Sequence, residues 1–202
     1  MIFSIVNRNN TNNRNNTNNT LFLNFNLNNV RPPLSSQKIE LISNNENIQS
    51  IKKMKWGEPT WFLFHTLAHK LKPEYTRIII KSLLQTFYTI CINLPCPTCA
   101  SHAKDYLNAI NFDYIQSKEQ LINLFFVFHN KINQQKSYPI FTKQQLDEKY
   151  ETANTINIIH NFIYYYNDTN FNINLISAKV YRNNLIVLLN KWFNENIQYF
   201  NL

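Results

Sequence analysis

The sequence predicts an all-helical protein, on three observations. Gly57 is the only glycine in 202 residues, so the chain lacks the positive-φ positions that tight β-hairpins want. From Lys53 onward apolar residues recur at intervals of three and four, the period of a helix face. Prolines and capping boxes punctuate that pattern at the places where helices would start.

The elements follow in order. Pro59 suits the first turn of a helix that carries Trp61, Phe64, His65 and Ala68 at helical spacing. Pro73 opens a second helix over about 74–92, with Ile78, Ile79, Leu83, Phe87 and Ile90 on its apolar side. Pro97 suits the first turn of a third, over about 97–109. Ser117 and Gln120 make a capping box for a fourth helix, which carries Leu121, Leu124, Phe125, Phe128 and Ile132. Thr142 and Gln145 repeat the box and start a short fifth helix, to about Tyr150. Residues 154–166 and 176–199 read as two further helices joined by an Asn-rich loop. There is no internal repeat.

The ends of the chain differ in kind. Residues 1–52 read as a disordered, low-complexity arm, because 7–20 are almost entirely Asn, Thr and Arg and cannot bury enough apolar surface to offset the entropy of ordering. The apolar start, Met1 to Val6, is too short for a signal peptide. The run from Ile78 to Leu94 is broken by Lys81, Ser82 and Gln85, so no bilayer span is expected and the chain reads as soluble.

Composition narrows the function. Hydrophobic residues make up 44% of the chain, enough for a real core. The net charge is +8, but the lysines are scattered, and they read as solvated surface charge rather than a nucleic-acid footprint. A single glycine excludes both the dinucleotide-binding fingerprint and the P-loop, whose backbones must approach phosphate closely. Any nucleotide cofactor would have to be held by side chains on helices.

Three cysteines, Cys91, Cys96 and Cys99, give no disulfide framework. Cys91 is a lone cysteine on an apolar helix and reads as a small core residue. Cys96-Pro97-Thr98-Cys99 is a C-x-x-C at an expected helix start, where unpaired N–H groups and the positive end of the dipole stabilise a thiolate. Four readings are open for it. A redox dithiol linked to a flavin is one. A zinc site built on Cys96, Cys99 and His102 with Cys91 or His129 is another, although no second compact ligand pair is seen. A thioredoxin-like motif needs a strand before it, and the sequence there reads as helix. A buried pair of reduced cysteines is the fourth.

Further residues fall into order around this motif. Trp56-Gly57 is followed by Thr60-Trp61 and His65, with Trp61 and His65 one turn apart on one helix face. After Cys96-Pro97-Thr98-Cys99 come Phe128-His129-Asn130 and Asn133, a polar stripe on an apolar helix. Pro139, Phe141 and Asp147-Glu148-Lys149-Tyr150 close the series. In this combination the chain resembles the Erv/ALR family of FAD-linked sulfhydryl oxidases, above all the compact type of large DNA viruses. The resemblance covers about residues 53–152, leaving 153–202 as a helical C-terminal extension.

The resemblance implies a four-helix bundle plus a short fifth helix, with FAD cradled at one end, and a homodimer. It implies Cys96 and Cys99 as the catalytic pair. It places Lys53, Gly57, Glu58, Thr60, Trp61, His65, Phe126, His129, Asn130, Asn133, Tyr138, Lys149 and Tyr150 along the FAD site, and no metal. The implied activity is thiol oxidation. Protein dithiols, or a thioredoxin-like relay protein, reduce Cys96–Cys99; the electrons pass through FAD to oxygen and give hydrogen peroxide. The zinc-binding or interaction module on Cys96, Cys99 and His102 is the alternative. Localisation is expected in the host cytoplasm, a viral factory or a virion, with the mitochondrial intermembrane space as the other setting.

The chain also departs from the family. The arm has no shuttle cysteines. Asn108 stands where a flanking structural disulfide would begin, Tyr138 where a lysine would meet the FAD phosphates, Tyr150 where a tryptophan is usual, and Leu94 where an aromatic precedes the motif.

Overall fold

The computed structural model describes residues 55–167 and 176–202. The N-terminal arm and Lys53 lie outside them, as does most of the Asn-rich loop. The described residues form seven α-helices: α1 (Gly57–Lys70), α2 (Thr76–Ile92), α3 (Pro97–Asn108), α4 (Lys118–Gln135), α5 (Lys143–Glu151), α6 (Thr155–Asn167) and α7 (Ile176–Asn196). Short 3₁₀ turns occupy Pro73–Tyr75, Phe112–Tyr114 and Ile197–Tyr199. Among the described residues there is no strand, only an antiparallel bridge between Leu71 and Phe200.

Local chemistry sets the helix starts. Both capping boxes are closed. The Gln120 N–H donates to Ser117 Oγ at 3.2 Å while Gln120 Oε1 accepts from the Ser117 N–H at 3.0 Å. The Gln145 N–H donates to Thr142 Oγ1 at 3.2 Å, and Gln145 Oε1 accepts from the Thr142 N–H at 2.8 Å. Cys96 is the N-cap of α3, its sulfur accepting the Cys99 N–H at 3.3 Å. Pro73 opens a 3₁₀ turn rather than the expected helix, and α2 starts only at Thr76. A tightened turn of this kind is a common entry to an α-helix.

The core is aromatic at its centre. Phe64 of α1, Phe87 of α2 and Phe125 of α4 are all fully buried, with ring centroids 4.9 Å (Phe64–Phe87), 4.5 Å (Phe87–Phe125) and 5.3 Å (Phe64–Phe125) apart. Three rings at these separations gain edge-to-face attraction beyond the area they bury.

The helices after residue 152 share this core. Ile159, Phe162, Ile163 and Tyr166 of α6, and Leu185, Ile186, Leu189 and Phe193 of α7, belong to the same buried cluster as the α1, α2 and α4 side chains. Helix α6 packs along α1, which also carries α4 and α5. The Tyr166 hydroxyl donates to Asn93 O at 2.6 Å, so α6 satisfies a carbonyl at the end of α2, three residues before Cys96. The tail is stitched to the end of α1: the Lys72 N–H donates to Tyr199 O at 3.0 Å, the Asn201 N–H to Lys70 O at 2.8 Å, and the Thr155 hydroxyl to Asn201 O. Among the described residues no helix is long and apolar enough to cross a membrane.

Candidate functional site

The C-x-x-C pair sits at the tip of α3. Cys96 and Cys99 are both free thiols and half-buried. The expected helix-end stabilisation of a thiolate is outweighed here. Burial is the largest influence on Cys99, and the hydrogen bond and charge of Cys96 act in the same direction; together they push the thiol up to about 11. The Lys136 ammonium and a backbone hydrogen bond pull it back in part. Cys91 is fully buried on α2, and burial pushes its thiol up strongly, as befits an inert core residue.

Aromatic and histidine rings from α1, α4 and α5 converge in one cluster. Trp61 lies flat on His129, with centroids 4.0 Å apart and an 8° interplanar angle. His65 lies flat on Tyr150 at 4.6 Å and 10°. The two stacks are joined by a hydrogen bond between His65 Nε2 and His129 Nδ1 at 3.0 Å. Phe128 touches Trp61 edge-on at 5.2 Å and is itself stacked with Tyr106 of α3 at 4.5 Å. The rings therefore run from the redox helix to α5.

Both central histidines are neutral. Burial lowers His65 to about 2, with the neighbouring His129, His69 and Lys149 all disfavouring a second positive charge there; burial and Lys149 lower His129 to about 4. Two neutral imidazoles share one hydrogen bond, so one donates and the other accepts. His65 Nδ1 is buried with no partner. A buried bare nitrogen is tolerated better than a buried N–H with no acceptor, which assigns the His65 proton to Nε2. His129 Nδ1 then accepts, and His129 carries its own proton on Nε2.

The stripe on α4 shapes the following loop. Asn130 donates from Nδ2 to Phe141 O at 2.8 Å and accepts the Phe141 N–H on Oδ1 at 2.9 Å. Asn133 donates to Pro139 O at 3.0 Å, and its own carbonyl accepts the Tyr138 N–H at 2.8 Å. Ser137, at φ 55°, makes the left-handed turn between them. The fold thus gives Asn130 and Asn133 loop-holding work in addition to the cofactor contacts implied by the resemblance. Lys149 lies 4.7 Å from the Phe62 ring, 5.7 Å from Phe141 and 5.6 Å from Tyr150.

The remaining residues of the expected site are scattered around this centre. Gly57 and Glu58 open α1; a Cβ on Gly57 would meet open space. Thr60 is buried and donates to Trp56 O at 2.7 Å. Phe126 is half-buried on α4, one turn before Asn130, and Tyr138 is exposed. Sequence reasoning missed His69, which bridges α1 and α5: Nδ1 faces His65 O at 2.8 Å and Nε2 faces Asp147 Oδ1 at 2.9 Å. Both ring nitrogens face oxygen acceptors. A histidine four residues after His65 was the available signal. Tyr106, Phe62 and Lys136 were missed as well.

Two clefts open elsewhere. One, of about 240 Å³, is lined by Tyr106, Ile115, Leu124 and Val127; the other, of about 320 Å³, by Tyr88, Asn108 and Phe112 among others. Neither is lined by the cysteine pair or the stacked histidines, so chemistry, not concavity, locates the site. Among the described residues no group of three or more His, Cys, Asp or Glu could hold a metal, which leaves the zinc alternative without a ligand set.

Comparison with known proteins places this arrangement. The model of the Erv1 / Alr family matches residues 58–151, the stretch that holds the C-x-x-C tip and the converging rings. That stretch of the chain is similar to the Erv1 / Alr family. Three curated relatives align across it. A protein of Invertebrate iridescent virus 3, provisionally named an FAD-linked sulfhydryl oxidase, is 28% identical over 103 residues, which are 50% of this chain and 69% of that one. A protein of Invertebrate iridescent virus 6 with the same provisional name is 29% identical over 101 residues, 47% of this chain and 91% of the relative. The FAD-linked sulfhydryl oxidase ERV1 of Oryza sativa subsp. japonica is 27% identical over 111 residues; the match spans 55% of this chain and only 57% of the rice protein. No solved structure matches the chain. Helices α6 and α7 lie beyond the Erv1/Alr match, yet they share one buried core with the matched stretch.

Proposed function

We propose that this chain is an FAD-linked thiol oxidase that makes disulfide bonds in protein dithiols, with Cys96 and Cys99 as its redox pair. The observation that carries the reading is the C-x-x-C at the tip of α3, inside the family-matched residues and on the helix whose Tyr106 stacks with Phe128 of the ring cluster.

The residues suit FAD by their chemistry. Flat rings are present in Trp61, His129, His65 and Tyr150. The buried indole N–H of Trp56, immediately before α1, has no acceptor in the protein. Asn130, Asn133, the Nε2–H of His129 and the Lys149 ammonium add donors and positive charge suited to ribose and phosphate, without glycine loops. Glu58, Thr60, Phe126 and Tyr138 complete the proposed contacts.

In the oxidised enzyme Cys96 and Cys99 are joined. A substrate thiolate attacks the Cys96 sulfur, the Cys96–Cys99 bond breaks, and Cys99 leaves with the electron pair as thiolate. The second substrate thiolate attacks the substrate sulfur of the mixed disulfide, releasing Cys96 and an oxidised substrate. FAD, when bound, supplies the two-electron route from the reduced pair to oxygen, which becomes hydrogen peroxide. The chain's own part is to hold Cys99 half-shielded from water and to keep His65 and His129 uncharged within the ring cluster. A protein dithiol or a thioredoxin-like relay protein is the electron donor, and the working unit is a homodimer. The iridescent-virus relatives favour a viral setting in the host cytoplasm or virion, with the mitochondrial intermembrane space as the alternative.

Oxygen consumption with a dithiol tests the reading. Wild-type protein is expected to turn over, and Cys96→Ser and Cys99→Ala to be inactive. Turnover that persists in Cys99→Ala would overturn the assignment.

A further inference from the structure

Helix α7 is apolar on two sides. Leu185, Ile186, Leu189 and Phe193 face inward and are buried in the common core. Val180, Tyr181, Val187 and Leu188 lie on the outer side and are 53%, 60%, 66% and 63% exposed. A helix with a single core face carries polar residues on its outer side. Here the outer side holds an apolar stripe instead, the mark of a surface that another body covers.

The stripe is symmetric along the helix. Asn184 is exposed at its middle. Val180 and Tyr181 come four and three residues before it, Val187 and Leu188 three and four after, so all five share one helix face. On a two-fold interface every contact is made twice, residue i on j and j on i. A second copy of α7 laid antiparallel across the first, with the axis at Asn184, sets Val180 against the partner's Leu188 and Tyr181 against the partner's Val187. The two Asn184 carboxamides meet at the axis, where each offers the other a donor and an acceptor. A polar pair at one seam position fixes the register of two helices.

Charge selects the antiparallel sense. The chain carries +8, yet no charged residue lies between Asn183 and Asn190. Lys191 prolongs the stripe and reaches Glu195 of its own helix at 3.8 Å. Laid parallel, two copies would set Lys191 against the partner's Lys191 and align the helix dipoles. Laid antiparallel, these lysines stand about 21 Å apart along the seam, well beyond a Debye length of about 10 Å, and the dipoles oppose. A contact three turns long falls short of the about 800 Å² that each partner gives to a standard interface, so the pair should be a micromolar one that dissociates on dilution.

We propose that the outer face of α7 is where two copies of this chain pair, antiparallel, about a two-fold axis at Asn184. The inference rests on the oxidase reading only for its homodimer, and gives that homodimer a surface outside the residues matched to the Erv1 / Alr family.

Sedimentation velocity of the full chain, from micromolar to hundreds of micromolar, tests it. Wild type is expected to pass from one chain to two as concentration rises. Leu188→Asp and Val187→Asp each set a carboxylate in the seam at an exposed position, and each is expected to raise the dissociation constant about thirtyfold or more. Tyr114→Ser removes an exposed aromatic ring away from the stripe and should leave the constant unchanged. A photoreactive benzoylphenylalanine in place of Leu188 should give a two-chain product, joined near the partner's Val180. A wild type that stays single at every concentration, a dimer indifferent to both acidic variants, or equal weakening by Tyr114→Ser would overturn the proposal. So would a crosslink within one chain, which would mean that the N-terminal arm covers the stripe, or one to the partner's Leu188. A monomer that bears flavin and oxidises dithiols would sink the α7 interface alone; a dimer dissolved by Leu188→Asp in a protein that takes up no flavin would sink the oxidase reading alone.

Discussion

At the residue scale, the site is held by hydrogen bonds whose loss is measurable. Asn130 pins the loop before α5 through both of its amide atoms. Asn130→Ala removes both bonds and leaves backbone groups of Phe141 unpaired, so we expect a loss of about 1–3 kcal/mol in denaturant unfolding. The buried histidines add a pH dependence. Their folded values, about 2 for His65 and about 4 for His129, lie below the ordinary 6.5, so below pH 6.5 the unfolded chain binds more protons than the folded one. Their contribution is therefore full above pH 6.5 and falls away on acidification. For His129 the loss levels off near pH 4. Each histidine weakens stability by about 1 kcal/mol per pH unit over its window. Thermal unfolding from pH 7 down to pH 5 should show a falling midpoint, and His129→Gln should flatten the fall; a midpoint indifferent to pH would contradict the neutral pair.

At the scale of elements, Ser117→Ala and Thr142→Ala should each cost about 1 kcal/mol by opening a capping box, read as a shift in unfolding midpoint. These helix starts were legible in the sequence because a cap is a conversation between residues three apart. The C-x-x-C tip was legible for the same reason, with Pro97 marking the first turn. The fate of the Cys99 proton was not. Its helix-end position argued for an easily formed thiolate, but burial and Cys96 prevail, and burial depends on what the rest of the chain packs over the sulfur. The His65–His129 bond joins residues 64 apart, and His69–Asp147 residues 78 apart. No local pattern announces such pairs. The polar stripe on α4 was visible, but its hold on Pro139 and Phe141 needed the turn at Ser137 to be seen.

At the scale of the whole molecule, the C-terminal helices are part of the fold that presents the redox tip. Tyr166 reaches from α6 to Asn93, and Trp192 of α7 donates to Ser82 Oγ of α2 at 2.7 Å. Tyr166→Phe keeps the ring and removes the hydroxyl, and should cost about 1 kcal/mol. Truncation after residue 152 would uncover the apolar faces of α1 and α2, and should yield a chain without a cooperative unfolding transition. Sequence periodicity foresaw α6 and α7 but gave no sign of which surface they would cover.

The most direct measurement is an anaerobic titration of the purified full chain with a dithiol, followed by visible absorption. The account predicts a flavin band in the isolated protein, bleached by dithiol in wild type and left intact in Cys99→Ala. A protein that purifies without flavin and takes none up, or one whose flavin is bleached equally well without Cys99, would contradict it.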